Sequence, residues 1–307
     1  MRLVLFGSGE FGVPTFRALA AQHDILRVIT QPARRAGRGR SVRPTPVDGW
    51  AADHSLPVDA VPDVNDPDVI RSIRSADADA WIVIAFGQKL GPDLLQDRFA
   101  INLHASLLPK FRGAAPINHA IIAGESVTGL SVITLANRID AGDVLGTTST
   151  PIDPGETAGE LHDRLSLLGP DLVTTVLADY AQGRLSPVPQ MPSDVTSAPK
   201  FTRSDGTVDF ALEADAVRNR VHGLTPWPGC DVLIGDRRLR LLRVRIAEPP
   251  TPVPAARCCT PNGVVGCGVG FVELLQVQAP GGRPMDFPSW YRGQRDLHGS
   301  TMELLPA

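Results

Sequence analysis

Short apolar runs that barely alternate set the fold. Leu3-Val4-Leu5-Phe6, residues 25–30, residues 81–86 and residues 130–135 are each of strand length and too continuous for strands with one face in water. Strands covered on both faces belong to parallel sheets flanked by helices. Helical spacing between the runs supplies those helices at residues 13–21, 47–54 and 66–75, the last opened by Asn65-Asp66-Pro67 as cap and first turn. The first half therefore reads as α/β, with a Rossmann-like, mostly parallel sheet. Four strand ends are expected to face one crevice, where open α/β sheets bind their ligands. Residues 144–150 would add an edge strand, and residues 156–180 a helix broken near Gly169-Pro170.

At 307 residues the chain exceeds the usual size of one domain. Its composition changes after Gln182, where Pro187, Pro189, Pro192 and Pro199 mark an extended connection. We expect one domain over residues 1–183, a linker over 184–204 and a second domain over 205–307. In the latter, a helix near residues 211–222 precedes strand-like runs at 232–234, 239–246, 264–267 and 271–277, separated by turn signals such as Asn262-Gly263. A small OB-like β-barrel is the economical reading. No apolar run approaches the ~20 residues of a membrane helix, and Met1 to Gly7 reads as a first strand and not a signal peptide. A cytoplasmic protein is expected. The four cysteines show no paired spacing, so neither a disulfide nor a metal is expected.

Residues 99–116 carry the densest chemistry. An apolar strand, Phe99-Ala100-Ile101, continues into Asn102-Leu103-His104, and side chains two apart on a strand point the same way. A carboxamide donor and an imidazole sharing a face suit a carbonyl that gains negative charge when attacked, which points to acyl transfer. Ser106-Leu107-Leu108-Pro109 then turns the chain, and Ala115-Pro116-Ile117 opens a helix. Asp140 follows the 130–135 strand in the turn Asp140-Ala141-Gly142-Asp143, and would reach His104 if two adjacent strands ended at the same edge. Each feature also has an ordinary counterpart, a satisfied core histidine or a plain Asp-x-Gly-Asp turn. Ser106 lies near His104, yet no G-x-S-x-G elbow accompanies it.

Two other features require weighing. Gly7-Ser8-Gly9-Glu10-Phe11-Gly12 follows the first strand and matches a dinucleotide fingerprint, but the second strand ends in Thr30-Gln31-Pro32 where a ribose-binding acid belongs. Residues 32–46 read as an exposed loop in which Arg34, Arg35, Arg38, Arg40 and Arg43 fall within ten residues that hold no acid. Such a loop engages phosphates even on a chain of net charge -3. It is also what a solvated surface loop looks like.

With these residues in view, the chain resembles the folate-dependent formyltransferases over nearly its whole length, and among them the branch that acts on methionyl-tRNA. The resemblance rests on Asn102-x-His104-x-Ser106-Leu107-Leu108-Pro109, on Arg112-Gly113-Ala114-Ala115-Pro116, and on Asp140-x-Gly142-Asp143, 36 residues past the histidine. Glu10-Phe11-Gly12-Val13-Pro14, Arg35-Ala36-Gly37-Arg38-Gly39, Val83-Ile84-Ala85-Phe86-Gly87-Gln88, Pro226-Trp227-Pro228-Gly229 and Leu275-Gln276-x-x-x-Pro280-Gly281 are similar as well. Gly7-Ser8-Gly9-Glu10 stands where the family usually has Gly-Thr-Pro-Glu, so the dinucleotide match is a coincidence.

The resemblance implies a catalytic set of Asn102, His104 and Asp140. It implies 10-formyltetrahydrofolate as co-substrate, held by Phe86, Gly87, Gln88, Leu90, Ser106, Leu107, Leu108, Pro109 and Gly142. The acceptor would be initiator methionyl-tRNA, approached by Arg34, Arg35, Arg38, Arg40 and Arg43 and by the second domain, giving N-formylmethionyl-tRNA for translation initiation. No metal is implied, and a monomer is expected. The alternative is a small amine acceptor such as an amino-sugar nucleotide.

Overall fold

A computed structural model describes residues 1–36, 41–251, 253–255, 257–294 and 302–306. The chain packs as two compact units. One comprises Met1–Gly113, Gly129–Thr150 and His162–Ser197, and the other Ala114–Thr128, Pro151–Leu161 and Ala198–Ala307.

The first unit is built on a seven-stranded sheet. Its strands in chain order are β1 (Arg2–Gly7), β2 (Asp24–Thr30), β3 (Val58–Ala60), β4 (Ala80–Ile84), β5 (Ala100–His104), β6 (Val127–Thr134) and β7 (Val144–Pro151). Across the sheet they run β7-β6-β5-β4-β1-β2-β3. The pairs from β5 to β3 are parallel, so the carboxyl ends of β1, β2, β4 and β5 share one edge. Leu3, Val4, Leu5, Phe6, Trp81, Ile82 and Ile84 have no exposed surface, as their unbroken apolar runs require. The alternating exposure of β7 marks it as the edge.

Local chemistry places the helices. Thr45 caps Pro46–Asp53 by accepting from the Asp48 N–H, and Asp66 caps Pro67–Arg74 by accepting from Asp68 and Val69. The expected break at Gly169-Pro170 separates Ala158–Ser166 from Gly169–Ala181. Between β2 and the first of these helices, residues 32–46 are not wholly loop. Arg34–Ala36 pairs antiparallel with Ser41–Arg43, in the register Arg34 to Arg43 and Arg35 to Val42.

The second unit closes a barrel from β8 (Cys230–Ile234), β9 (Arg237–Ala247), β10 (Cys258–Cys259), β11 (Val264–Gly266), β12 (Phe271–Gln278) and β13 (Met302–Pro306). Every pairing is antiparallel, and the β9–β12 ladder completes the ring β9-β8-β13-β10-β11-β12. Closure removes free edges, which suits strands this short. Val232, Leu239, Leu241, Val244, Val265, Val272 and Val277 form its core with Phe287 and Val217. Cys230, Cys259 and Cys267 are buried free thiols, and burial pushes the Cys230 thiol up to about 12.

Candidate active site

β5 delivers Asn102 and His104 from its central face, and both side chains approach one carboxylate, that of Asp140. The Asn102 Nδ2 lies 3.4 Å from Asp140 Oδ1, and the His104 Nδ1 lies 3.6 Å from Asp140 Oδ2. His104 is buried and Asn102 half-buried. The other ring nitrogen is committed: His104 Nε2 sits 2.9 Å from the carbonyl of Phe111. A carbonyl only accepts, so Nε2 carries a proton. Nδ1 is beyond hydrogen-bond reach of the carboxylate. It is therefore the nitrogen left for an incoming oxygen.

The sequence expectation brings these three residues together by a route that the structure corrects. β6 runs antiparallel to β5, with His104 opposite Ser131 and Ile101 opposite Thr134. The two strands thus end at opposite edges, and residues 135–143 return along the sheet to carry Asp140 back to His104. Tight contacts hold that return. The Asp140 Oδ2 accepts from the Gly113 N–H at 2.9 Å, Asp143 exchanges bonds with Thr134 at 2.9 and 3.0 Å, and Asp140 itself lies at φ +52°. A Cβ on Gly142 would stand 1.8 Å from the Thr134 carbonyl oxygen, so only glycine fits there.

The loop after β5 is packed on itself. Ser106 is fully buried and donates to the Lys110 carbonyl at 2.6 Å. The Ser131 hydroxyl donates to the Ser106 carbonyl at 2.8 Å and accepts from the Leu108 N–H at 3.0 Å. The Ser106 hydroxyl is thus spent on the turn itself, and Leu107, Leu108 and Pro109 are partly or fully buried around it.

At the same edge, Phe86, Gly87, Gln88 and Leu90 follow β4. Ser8 and Gln31 claim the Phe86 carbonyl at 3.2 and 2.6 Å. The Gln88 amide is spent on Val61 and Val64 at 3.0 and 2.8 Å, and Leu90 is buried. Among the described residues, no hydrogen bond claims the main-chain N–H of Gly87 or Leu90. The glycines of the dinucleotide-like motif serve packing instead of phosphate binding. Ser8 and Gly9 give their N–H groups to the Ala85 carbonyl at 3.2 and 3.1 Å, and a Cβ on Gly7 would strike the Phe16 ring at 2.4 Å.

A cavity of about 230 Å³ opens here, lined by Ser8, Gln31, Arg34, Arg43, Thr45 and Phe86 among others. Arg34 and Arg43 face each other across their ladder. Directly opposed like charges are unfavourable in a ladder, and among the described residues neither guanidinium pairs with a carboxylate. Arg34 donates to the Gln31 side chain instead. Of the remaining expected contacts, Arg38 and Arg40 lie outside the described residues, and of Arg35 only the backbone is described.

Three contributors were not visible in the sequence: the Phe111 carbonyl, the Gly113 N–H and Gln190. The first two act through backbone, which carries no side-chain signature. Gln190 belongs to the proline-rich stretch, which is bound to the site and carries a short 3-10 turn at Pro192–Asp194. Its amide donates to the carbonyls of Asp140 and Gly142 at 2.9 and 2.7 Å.

Comparison with known proteins adds three findings. Residues 1–177 match the family described as Formyl transferase, and residues 200–295 match the Formyl transferase, C-terminal domain. A methionyl-tRNA formyltransferase of Heliobacterium modesticaldum is 39% identical over 310 residues, covering 96% of this chain and 98% of that protein. One of Roseobacter denitrificans is 42% identical over 284 residues, covering 92% of each chain. Two solved structures share the fold. WlaRD, a sugar 3N-formyl transferase in the presence of dTDP and 5-N-formyl-THF, has a TM-score of 0.67 at 14% identity over 89% of this chain and 96% of that one. HypX from Aquifex aeolicus in complex with tetrahydrofolic acid has a TM-score of 0.62 at 16% identity, over 97% of this chain and 48% of that one.

Proposed function

This chain belongs to the formyl transferase family, and on that premise we propose that it formylates the α-amine of methionine esterified to initiator tRNA, with 10-formyltetrahydrofolate as donor. The observation that carries the reading is full-length similarity to methionyl-tRNA formyltransferases. The arrangement of Asn102, His104 and Asp140 supports it, because an amide N–H and an uncommitted ring nitrogen stand beside one carboxylate.

When bound, the reduced folate supplies the formyl group. The chain's residues fit such a donor. The unclaimed N–H groups of Gly87 and Leu90 suit the acceptor atoms of a pterin. Phe86, Gln88, Ser106, Leu107, Leu108, Pro109 and Gly142 would shape the same site.

The reaction asks three things of the protein. Asn102 Nδ2 and a proton on His104 Nδ1 take up the charge that gathers on the formyl oxygen as the neutral amine attacks. Asp140, beside Nδ1, balances the charge of the protonated ring and receives the proton lost by the amine through a bridging water, the proton that the departing folate nitrogen takes up as its bond to the formyl carbon breaks. Phe111 fixes the ring through Nε2, so the donating nitrogen needs no reorientation during the step.

For the acceptor, Arg34, Arg35, Arg38, Arg40 and Arg43 would meet tRNA phosphates, which relieve the opposed Arg34 and Arg43 charges. Residues 1–183 would act as the catalytic domain, 184–204 as the connection and 205–307 as the tRNA-contacting domain, in a cytoplasmic monomer. No helix among the described residues is long and apolar enough to cross a membrane.

An acceptor panel tests the reading. Transfer to methionyl-tRNA, with none to uncharged tRNA, free methionine or a dTDP-amino sugar, is the expected result. Preferential transfer to the amino sugar would overturn it.

A further inference from the structure

Among the described residues the ring nitrogens of His104 have two polar neighbours, the Phe111 carbonyl and the Asp140 carboxylate, and one segment holds both. Its start is tied to the sheet where Val144 and Val188 exchange backbone hydrogen bonds of 2.9 Å. Thr196 fixes the Phe111 side: its hydroxyl accepts from the Phe111 N–H at 2.8 Å and its carbonyl from the Arg112 N–H at 2.9 Å. Gln190 fixes the Asp140 side. Phe111 and Asp140 both occupy left-handed backbone, at φ +62° and +52°. Neither residue prefers that conformation, so outside contacts must hold it.

The Gln190 amide uses its full capacity. Nε2 gives one proton to Asp140 O and one to Gly142 O. Oε1 accepts from Arg112 Nε at 3.0 Å and Nη2 at 2.8 Å. A carboxamide carries two donors and two acceptor sites, and here all four are matched. Glutamate would keep the pair with Arg112 but set a carboxylate against two carbonyl oxygens. Asparagine would fall one methylene short.

We propose that Gln190 is a positioning residue, which sets the place of Asp140 against His104 by clamping the turn that carries it to Arg112. The inference rests on the formyl-transfer reading of the site. The hydrogen bonds of the Gln190 side chain go to Asp140, Gly142 and Arg112, none of them to His104, so its effect on rate is routed through the turn that carries Asp140.

The test is a double-mutant cycle on the full-length protein. Rates of formyl transfer from 10-formyltetrahydrofolate to methionyl-tRNA would be measured for Gln190→Glu, Asp140→Asn and the double variant, alongside thermal melts. Gln190→Glu should lower kcat by roughly 30- to 100-fold, as misplacement by about 1 Å does. KM for methionyl-tRNA should stay within about twofold. The double variant should be no more than about threefold slower than Asp140→Asn, because residues acting through one another do not multiply. If Gln190→Glu melts far below wild type, Gln190→Met, similar in length and uncharged, takes its place in the cycle. Losses that multiply, or an unchanged kcat for both Gln190 variants, overturn the proposal. Asp140→Asn at the wild-type rate removes the site reading itself, and this outcome is distinguished by the single variant alone.

Discussion

Gly142→Ala is a one-methyl change whose consequence follows from distances. The added carbon would lie 1.8 Å from the Thr134 carbonyl oxygen, 2.6 Å from its carbon and 2.7 Å from its hydroxyl. Ordinary contact needs about 3.5 Å, so something must move by roughly 1.5 Å. Thr134 ends a strand paired to β5, whereas residues 140–143 are a turn, and the turn yields. Its movement strains the two bonds from Gln190 and the bond from Gly113 to Asp140. At ~1 kcal/mol each, stability should fall by about 2 to 3 kcal/mol. Asp140 leaves its place beside His104, and kcat should drop about 100-fold. Steady-state formyl transfer and a thermal melt measure both effects. A rate within threefold of wild type would refute the coupling between turn geometry and chemistry.

Further predictions concern charge. Replacing Arg34 and Arg43 by Ala should raise KM for methionyl-tRNA severalfold and flatten the dependence of log KM on log salt by about 1 per lost phosphate contact; an unchanged salt slope would remove the loop from the tRNA interface. In the second unit, burial, with Arg243 and Arg218 nearby, lowers His222 to about 4, and its Nε2 accepts from the Val244 N–H at 3.2 Å. A base whose folded pKa lies below its unfolded value of about 6.5 leaves the fold fully stable above that pH. Stability should decline as pH falls from there towards 4, by about 3 kcal/mol in all. Urea unfolding at pH 7 and pH 4.5 should show this loss, and His222→Gln should reduce it. Equal losses in both proteins would contradict the assignment.

The clustering of Asn102, His104 and Asp140, which we propose as the catalytic set, was partly legible because its parts obey short-range rules. Side chains two apart on one strand share a face, so Asn102-x-His104 announced itself. Asp140 was readable from its turn after the 130–135 strand and again from the resemblance, whereas the antiparallel course of β6 was not, since apolar runs carry no direction. The barrel was readable from β8, β9, β11 and β12. Its closure was not, because β10 has two residues and β13 stands apart from the other runs. Gln190 was hidden for another reason. Proline-rich polar sequence reads as a connection whether solvent or a catalytic turn satisfies its hydrogen bonds. Gly7, Gly9 and Gly12 misdirect in the opposite sense, since close packing against Phe16 and Ala85 selects the same residue as a phosphate cradle.

The central proposal is that Asn102, His104 and Asp140 act on a formyl carbonyl. Its most direct test is the single-turnover rate of transfer from labelled 10-formyltetrahydrofolate to methionyl-tRNA, for wild type and for Asn102→Ala, His104→Ala and Asp140→Asn. Losses of about 100-fold or more are expected in each variant, with melting temperatures within a few degrees of wild type. Near-wild-type rates in all three would contradict it.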